Sequence, residues 1–165
     1  MIRLATREDA SGIAEIHVAS WRVAYRDILP AELLLGLDVK DRQRLWSDLC
    51  SRSDVSVFVA EDEGLVSGFC HVCRCRDTDL ADSAEITCLY ISPGWERRGI
   101  GRQLMLAALA YASRGGFPRA SLWVLRENLA ARLFYEALGF RPDDTVKTET
   151  FSGCTLHEMR YIKNR

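Results

Sequence analysis

The sequence predicts an α/β protein with one central mixed β-sheet and helices on both of its faces. Strand-like and helix-like segments follow one another along the 165 residues in the order βαα-βββ-αβ-αβ-β, which is the pattern of a layered sheet-and-helix domain. In addition, a glycine-containing turn between Pro93 and Arg102 joins a strand directly to a helix. A chain of this length is expected to form a single domain, residues 1–165.

The first half of the chain is predicted to contain a strand, two helices and a hairpin. Acidic residues early in Thr6 to Asp9 are typical of a helix start, and Gly36 to Asp38 is expected to interrupt the second helix. Turn residues at Glu61 to Gly64 indicate the hairpin. In chain order the predicted segments are a strand at Ile2 to Ala5, a helix from Thr6 that ends before Leu29-Pro30, a helix from Ala31 to Cys50, and strands at Val55 to Ala60 and Leu65 to Cys75.

The second half alternates strands with helices. Its most informative part is the β-branched and aromatic run from Glu85 to Ser92, which stops at Pro93 and predicts a strand. Apolar and polar residues alternate in the tail, which predicts one or two final strands around Ser152-Gly153. The predicted segments are the strand from Glu85 to Ser92, a helix from about Arg102 to Arg114, a strand at Ala120 to Leu125, a helix after Asn128, and the tail from Lys147 to Ile162.

The turn after the Glu85 strand is suited to a pyrophosphate. Glycines let backbone N–H groups crowd around an anion, and the N-terminus of the next helix adds further donors and a partial positive charge. The residues concerned are Arg97, Arg98, Gly99, Ile100, Gly101 and Arg102. The Rossmann fingerprint is excluded because Leu104 stands where its third glycine belongs. A Walker loop is excluded because no Gly-x-x-x-x-Gly-Lys-Ser/Thr run exists.

A second motif lies one helix and one strand further on, at Asn128-Leu-Ala-Ala-Arg-Leu-Phe-Tyr-Glu-Ala-Leu-Gly-Phe140. Asn128 is a good N-cap, and the alanines and leucines after it favour helix. Phe134 and Tyr135 are expected on the apolar side of this helix, and Gly139 is expected to end it. An ordinary amphipathic helix explains these features except for the Phe-Tyr pair and its distance from the turn.

Together the two motifs resemble the GNAT superfamily of N-acetyltransferases, in family order and over nearly the whole chain. The turn is similar to the family's acetyl-CoA loop, Gln/Arg-x-x-Gly-x-Gly/Ala, with Glu96 in place of the usual Gln or Arg. The resemblance implies the GNAT acyl-CoA N-acyltransferase fold, with a splayed pair of fourth and fifth strands. It also implies that acetyl-CoA is the cosubstrate and that no metal takes part.

The resemblance also implies site residues. A bulge in the fourth strand would direct the backbone amides of Leu89, Tyr90 and Ile91 to the acetyl and pantetheine groups, and Asn128 would face CoA. Tyr135 matches the family's tyrosine acid, whose phenol can protonate the leaving thiolate; alternatively it is a core aromatic. Glu85 falls where some members carry a glutamate base, with a pKa expected to be raised. The alternatives are a solvated glutamate and deprotonation of the amine through a chain of waters.

The acceptor is expected to be a primary amine of a small molecule. Trp21, Tyr25 and Trp46 are candidate walls of its pocket, although core packing explains them as readily. The alternatives are a protein acceptor, either an α-amino terminus or a lysine, and a non-catalytic acyl-CoA-binding module. An acyl-enzyme on Cys88 is a further route. The oligomeric state stays open, with a homodimer through the terminal strands as one option.

Composition excludes several classes of function. The net charge of −1 gives no basis for nucleic-acid binding. The apolar run from Leu104 to Ala112 is too short to cross a bilayer, and the first residues lack the apolar segment of a signal peptide, so a cytoplasmic location is expected. Cys70, Cys73 and Cys75 cluster in sequence, but strand geometry would separate them onto two faces. Small apolar packing is therefore expected of them rather than a metal site.

Overall fold

A computed structural model describes residues 1–151 and 153–164 of the chain. The strands are β1 Ile2–Leu4, β2 Val55–Asp62, β3 Leu65–Arg74, β4 Ala84–Ile91, β5 Arg119–Leu125, β6 Arg141–Phe151 and β7 Cys154–Asn164. The helices are α1 Ala10–Ala24, α2 Ala31–Leu35, α3 Val39–Leu49, α4 Ile100–Arg114 and α5 Leu129–Ala137, with short 3-10 turns at Arg7–Asp9 and Thr78–Leu80. The predicted α/β class and mixed sheet are confirmed.

The seven strands form one sheet in the order β1-β2-β3-β4-β5-β7-β6. Strands β4 and β5 run parallel, whereas the other neighbouring pairs are antiparallel. A parallel pair needs a crossover connection, and α4 provides it between β4 and β5. The N-terminus of α4 therefore lies at the carboxyl end of β4, the edge of the sheet at which ligands bind in many α/β proteins.

Two apolar clusters cover the two faces of the sheet. On one face, α4 contributes Leu104 and Met105, both with no exposed surface, to a cluster that also contains Phe140 and Tyr161. Burial of each such side chain contributes ~1.5–3 kcal/mol. On the other face, α1 and α3 pack Ile13 and other side chains against the sheet. The helices thus lie on both sides, as predicted, and α4 is held firmly against β3 and β4.

The helical region near the N-terminus begins and breaks close to the predicted places. A 3-10 turn precedes α1, and the Asp9 carboxylate accepts hydrogen bonds from the Thr6 N–H and hydroxyl at 2.7 and 3.1 Å. The predicted interruption of the second helix is confirmed, because α2 ends at Leu35 and α3 starts at Val39. Asp38 caps α3 by accepting a hydrogen bond from the Lys40 N–H at 2.6 Å.

The tail departs most from the sequence prediction. It forms two strands, and β6 begins at Arg141 rather than near Lys147. Pro142 is an unusual residue within a strand, and the register of β6 against β7 shifts between Pro142 and Val146, where Asp144 has a φ of 66°. This bulge hid the start of the strand. The predicted turn at Ser152-Gly153 falls partly outside the described residues.

In the described part of the chain, the helices are too short or too polar to cross a membrane.

Candidate active site

A slot opens in the sheet between β4 and β5. Their parallel pairing ends at Ile86 opposite Leu122, although β4 continues to Ile91 and β5 to Leu125. On its other side, β4 carries a bulge against β3, because Val72 pairs with Ile86 while the preceding residue of β3 pairs with Cys88. A bulge bends a strand and increases its twist. The expected splayed strand pair is therefore present, and its cause is visible in the register.

The backbone amides predicted to hold the acetyl and pantetheine groups differ in direction. Leu89, Tyr90 and Ile91 all lie on β4 beyond its last partner on β5. The Ser92 N–H donates to the Ser67 carbonyl, toward β3, at 2.9 Å. Amide directions alternate along a strand, so the amides of Leu89 and Ile91 point into the slot, whereas that of Tyr90 points toward β3. The amides of Leu89 and Ile91 thus have the direction that the predicted role requires and that of Tyr90 does not, and the role itself stays a prediction.

The glycine turn lies at the end of this slot, directly before α4. Gly99 has a φ of +78° and caps the helix, which begins at Ile100, two residues earlier than predicted. Glycine adopts this left-handed conformation without the clash that a Cβ would cause. The N–H groups of Ile100, Gly101 and Arg102 belong to the first helical turn and have no acceptor within the helix. They supply the donors and the positive helix end that an anion requires.

The side chains of the turn are largely exposed. The Arg98 guanidinium lies 4.6 Å from the centre of the Trp95 ring, and its Nη2 donates to the Gly94 carbonyl at 3.3 Å. The Glu96 carboxylate accepts a hydrogen bond from the Gly94 N–H at 2.8 Å. Glu96 thus helps to shape the turn, which gives a structural reason for a carboxylate at this position. Arg97 and Arg102 remain exposed on the surface.

The second motif forms α5 on the opposite wall of the slot. The Asn128 side chain caps α5 by accepting a hydrogen bond from the Ala131 N–H at 3.1 Å, as predicted. Arg132 and Glu136, four residues apart on α5, share the Tyr161 hydroxyl as a hydrogen-bond partner. Arg132 Nε donates to the Tyr161 hydroxyl at 3.1 Å, and this hydroxyl donates to Glu136 at 2.8 Å. The helix is therefore tied to β7.

Tyr135 projects from α5 to the same cleft. Its ring meets those of Phe134 and Phe140 edge-on, at centroid distances of 5.4 and 6.1 Å. Burial raises the pKa of the Tyr135 phenol, and the nearby Cys70, Tyr25 and Cys88 raise it further. The phenol therefore stays protonated near neutral pH, as an acid for a leaving thiolate must. Asn128 and Ala131 line the cleft beside it.

Glu85 has a different environment from the one expected. It is 2% exposed, and its carboxylate accepts three hydrogen bonds from Arg76, from the backbone N–H at 3.1 Å, Nε at 2.9 Å and Nη2 at 2.5 Å. Burial alone would raise the pKa of Glu85, but these hydrogen bonds and the charge of Arg76 lower it. The expectation of a raised pKa was wrong, because the contact between Glu85 and Arg76 depends on the fold and has no signature in the local sequence.

The cleft as a whole has a volume of about 650 Å³. At one end it includes Leu89, Ile91, Asn128 and Tyr135, next to the glycine turn. The other end is built from α1, the α1–α2 connection, α3, the β3–β4 connection, β4, β5 and the two tail strands. Its lining side chains include Trp21, Tyr25, Leu29, Arg42, Arg76, Thr87, Trp123, Lys147, Glu149, Leu156 and Glu158.

Two aromatic residues predicted as pocket walls do line this second end. The Trp21 Nε1–H donates to the Tyr90 hydroxyl at 2.9 Å, and this hydroxyl shares a hydrogen bond with Tyr25. Burial raises the pKa of Tyr25, so both phenols stay protonated. Trp46 belongs to the core instead, with 3% of its surface exposed, and its Nε1–H donates to His17 Nδ1 at 3.1 Å.

Charged side chains from the tail complete this end. Lys147 Nζ lies 4.7 Å from the centre of the Trp123 ring and forms ion pairs with Glu158 at 2.9 Å and Glu149 at 3.2 Å. Sequence reasoning missed these residues together with Arg76 and Thr87. Spacing gave no signal for them, because they come from separate elements that meet only in the folded sheet.

The environment of Cys88 does not suit a nucleophile. Burial raises the pKa of the Cys88 thiol to about 12, so it is not a thiolate near neutral pH, and only the thiolate is the nucleophile. Cys70 has no exposed surface, whereas Cys75 Sγ lies 3.3 Å from Ser121 Oγ. Among the described residues, no group of three or more His, Cys, Asp or Glu side chains is arranged to hold a metal ion.

Comparison with known proteins identifies the family. A profile of the acetyltransferase (GNAT) family matches residues 12–140. The chain belongs to this family. The GNAT enzyme is similar to the N-acetyltransferase YuaI of Bacillus subtilis (strain 168), with 34% identity over 137 residues that cover 82% of this chain and 77% of YuaI. The predicted membership and the N-acetyltransferase activity are therefore confirmed.

Two further proteins are similar to this GNAT chain. Spermidine N(1)-acetyltransferase of Thermoplasma acidophilum is 26% identical over 149 residues, which cover 87% of this chain and 89% of that protein. The crystal structure of the PaiA N-acetyltransferase from Thermoplasma acidophilum in complex with coenzyme A aligns with a TM-score of 0.82 and 23% identity, covering 100% of this chain and 98% of that one. The structural likeness confirms the fold.

Proposed function

We propose that this GNAT enzyme transfers an acetyl group from acetyl-CoA to a primary amine of a small molecule, by direct attack of the amine in a ternary complex. The observation that carries the proposal is a single cleft with two unlike ends. One end has a left-handed glycine turn, free helix N–H groups and a slot between strands. The other end is lined by aromatic and charged side chains from five separate elements, namely α1, α3, β5, β6 and β7.

The donor end fits acetyl-CoA. The turn around Gly99 offers N–H donors and a helix N-terminus to a pyrophosphate, and Arg97, Arg98 and Arg102 lie nearby. The slot between β4 and β5 has the extended shape that a pantetheine arm requires. The coenzyme A complex of the PaiA N-acetyltransferase from Thermoplasma acidophilum agrees with this assignment.

The acceptor end fits a small amine better than a peptide. Leu29, in the α1–α2 connection, is 5% exposed and lines the cleft. The Arg22 side chain fastens α1 to the chain beyond that connection through hydrogen bonds to the Leu34 carbonyl at 3.0 Å and the Leu37 carbonyl at 3.2 Å. The Lys147 ion pairs bound the opposite side. A cleft of about 650 Å³ with these side chains in its lining has room for a small molecule.

In the proposed reaction, acetyl-CoA supplies the thioester. The residues of this chain bind and orient acetyl-CoA and protonate the departing thiolate. The amides of Leu89 and Ile91 direct N–H groups into the slot, where they can stabilise the negative charge that develops on the carbonyl oxygen. The Tyr135 phenol donates its proton to the departing thiolate. We assign to Glu85 the task of holding Arg76 at the cleft wall, and to water the removal of the proton from the amine.

A protein acceptor is the alternative, and one assay separates the two. Purified enzyme with acetyl-CoA is offered spermidine, phenethylamine, lysine methyl ester and a peptide with a free α-amino group and an internal lysine, while released CoA thiol is measured. Thiol release with at least one small amine and not with the peptide supports the proposal. Release with the peptide alone would make the acceptor a protein. Binding of acetyl-CoA without release from any acceptor would favour the non-catalytic acyl-CoA-binding alternative.

The homodimer and the cytoplasmic location stay predictions. Strand β6 is the last strand of the sheet, so its outer edge is available to a second copy of the chain. However, Pro142 and the bulge before Val146 interrupt that edge, and such features commonly protect edge strands from pairing. Measurement of the molar mass in solution would decide between a monomer and a dimer.

A further inference from the structure

Thr87 occupies the bulge of β4. His71 pairs with Cys88 and Val72 pairs with Ile86, so Thr87 is the additional residue that has no partner of its own on β3. A bulge redirects side chains and often lies beside an active site. Here the bulge also coincides with the point at which β4 and β5 separate, immediately after Ile86. Thr87 therefore lies where the slot begins.

The Thr87 side chain faces the acceptor end. A second cavity of about 530 Å³ lies beside α3, and Thr87 lines both this cavity and the main cleft. Neither the glycine turn nor Tyr135 lines the second cavity. The two spaces share six residues, namely His17, Trp21, Arg76, Thr87, Cys88 and Tyr90. They therefore meet at Thr87, on the face of the sheet that α1 and α3 cover.

The Thr87 hydroxyl is held by a buried histidine. His71 Nδ1 lies 2.5 Å from Thr87 Oγ1, and His71 is 7% exposed. Among the described residues, its Nε2 has no hydrogen-bond partner. The Trp46 ring stands at 79° to the imidazole with a centroid distance of 5.9 Å, an arrangement in which an N–H can point at an aromatic face.

One neutral tautomer of His71 makes the Thr87 hydroxyl a fixed hydrogen-bond acceptor. Burial lowers the pKa of His71 to about 4, and the charge of Arg76 lowers it as well, so the imidazole is neutral and carries one N–H. With that hydrogen on Nε2, Nδ1 accepts the Thr87 hydroxyl hydrogen. Thr87 Oγ1 then acts as an acceptor of fixed direction, with one lone pair beside the Cys88 thiol and the other for the cleft that Thr87 lines.

We propose that Thr87 Oγ1 accepts a hydrogen bond from an N–H of the acceptor amine, and that His71 is the positioning residue that fixes the direction of this hydroxyl. This inference rests on the proposed function. A primary amine that donates one N–H to Thr87 has its nitrogen at the mouth of the slot, with its lone pair free to attack. No proton is transferred to Thr87 or His71, because the neutral imidazole already accepts the hydroxyl hydrogen and burial disfavours its cation.

The test uses Thr87→Val, which keeps the shape of the side chain and removes the hydroxyl, with Thr87→Ser as the matched control. With whichever of spermidine, phenethylamine or lysine methyl ester the wild type acetylates fastest, Thr87→Val is expected to lose about tenfold to a hundredfold in kcat/KM for the amine. The dissociation constant of acetyl-CoA should not change. Thr87→Ser should restore most of the loss.

A second pair of variants tests the histidine. His71→Leu should reproduce the loss in Thr87→Val, and His71→Asn, whose amide oxygen lies near the Nδ1 position, should recover part of it. Full kcat/KM in Thr87→Val, or an equal loss in Thr87→Val and Thr87→Ser, overturns the proposal even if His71→Leu fails to fold. Absence of thiol release by the wild type with all three amines would instead overturn the proposed function, and this inference with it.

Discussion

Replacement of Gly99 by alanine tests the donor end most directly. Gly99 has a φ of +78°, and an added Cβ would meet only Gln103 Nε2, at 4.0 Å. The substitution therefore adds backbone strain without a steric clash. The left-handed conformation costs a residue with a Cβ ~1–2 kcal/mol, and the reduced freedom of the unfolded chain returns ~0.4–1 kcal/mol. A net loss of about 1 kcal/mol in the free energy of unfolding is expected.

The binding effect should be larger than the stability effect. If the turn relaxes to relieve the strain, the N–H groups of Ile100 and Gly101 move, and each lost hydrogen bond to a charged phosphate costs ~1.5–3 kcal/mol. The dissociation constant of acetyl-CoA should therefore rise by at least about tenfold. Calorimetric titration with acetyl-CoA measures this change, and urea unfolding measures the stability.

Gly64 provides the matched control. It lies in the turn between β2 and β3 with a φ of +81°, and an added Cβ would meet nothing within 4 Å. Gly64→Ala thus carries the same backbone strain at a distance from the cleft, and it should lose the same stability with unchanged affinity for acetyl-CoA. Equal affinity in Gly99→Ala and Gly64→Ala would refute the assignment of this turn to the pyrophosphate.

Three further variants follow from the site and the fold. Tyr135→Phe should lower kcat by about 10²- to 10⁴-fold at unchanged affinity for acetyl-CoA, and unchanged turnover would remove the phenol from the reaction. Glu85→Gln should leave the pH dependence of kcat/KM intact, since Arg76 already binds this carboxylate; loss of the acidic limb would show that Glu85 is the base after all. The hydrogen bonds from Arg3 lower the pKa of Asp9 from 3.8 to about 2, so this stabilisation is complete above pH 3.8 and is lost as the pH falls through 2. Asp9→Asn should therefore cost about 2 kcal/mol at pH 7 in urea unfolding, with a smaller difference from the wild type at pH 3.

The sequence predicted the secondary structure around the donor end well because its features are local. The turn before α4, the Asn128 cap and the position of Tyr135 all lie in continuous segments whose spacing reads directly as strand, turn or helix. The bulge at Thr87 could not be predicted, since it depends on the register of β4 against β3. The start of β6 was missed because Pro142 gives no strand signal. The register of strand pairing and the positions of bulges are tertiary properties, and the secondary-structure propensity of single residues does not encode them.

The charged side chains of the acceptor end also come from separate elements, so local sequence could not predict that they meet. Arg76 is bonded to Glu85, Lys147 is bonded to Glu149 and Glu158, and Arg42 lines the same end, so these six side chains carry three positive and three negative charges. An excess of negative charge would favour the approach of an ammonium ion. It would also raise the pKa of that ammonium and oppose its deprotonation, which must precede attack. A large excess of free carboxylates would bind the amine in its unreactive form, whereas carboxylates paired with Lys147 and Arg76 keep this opposition small.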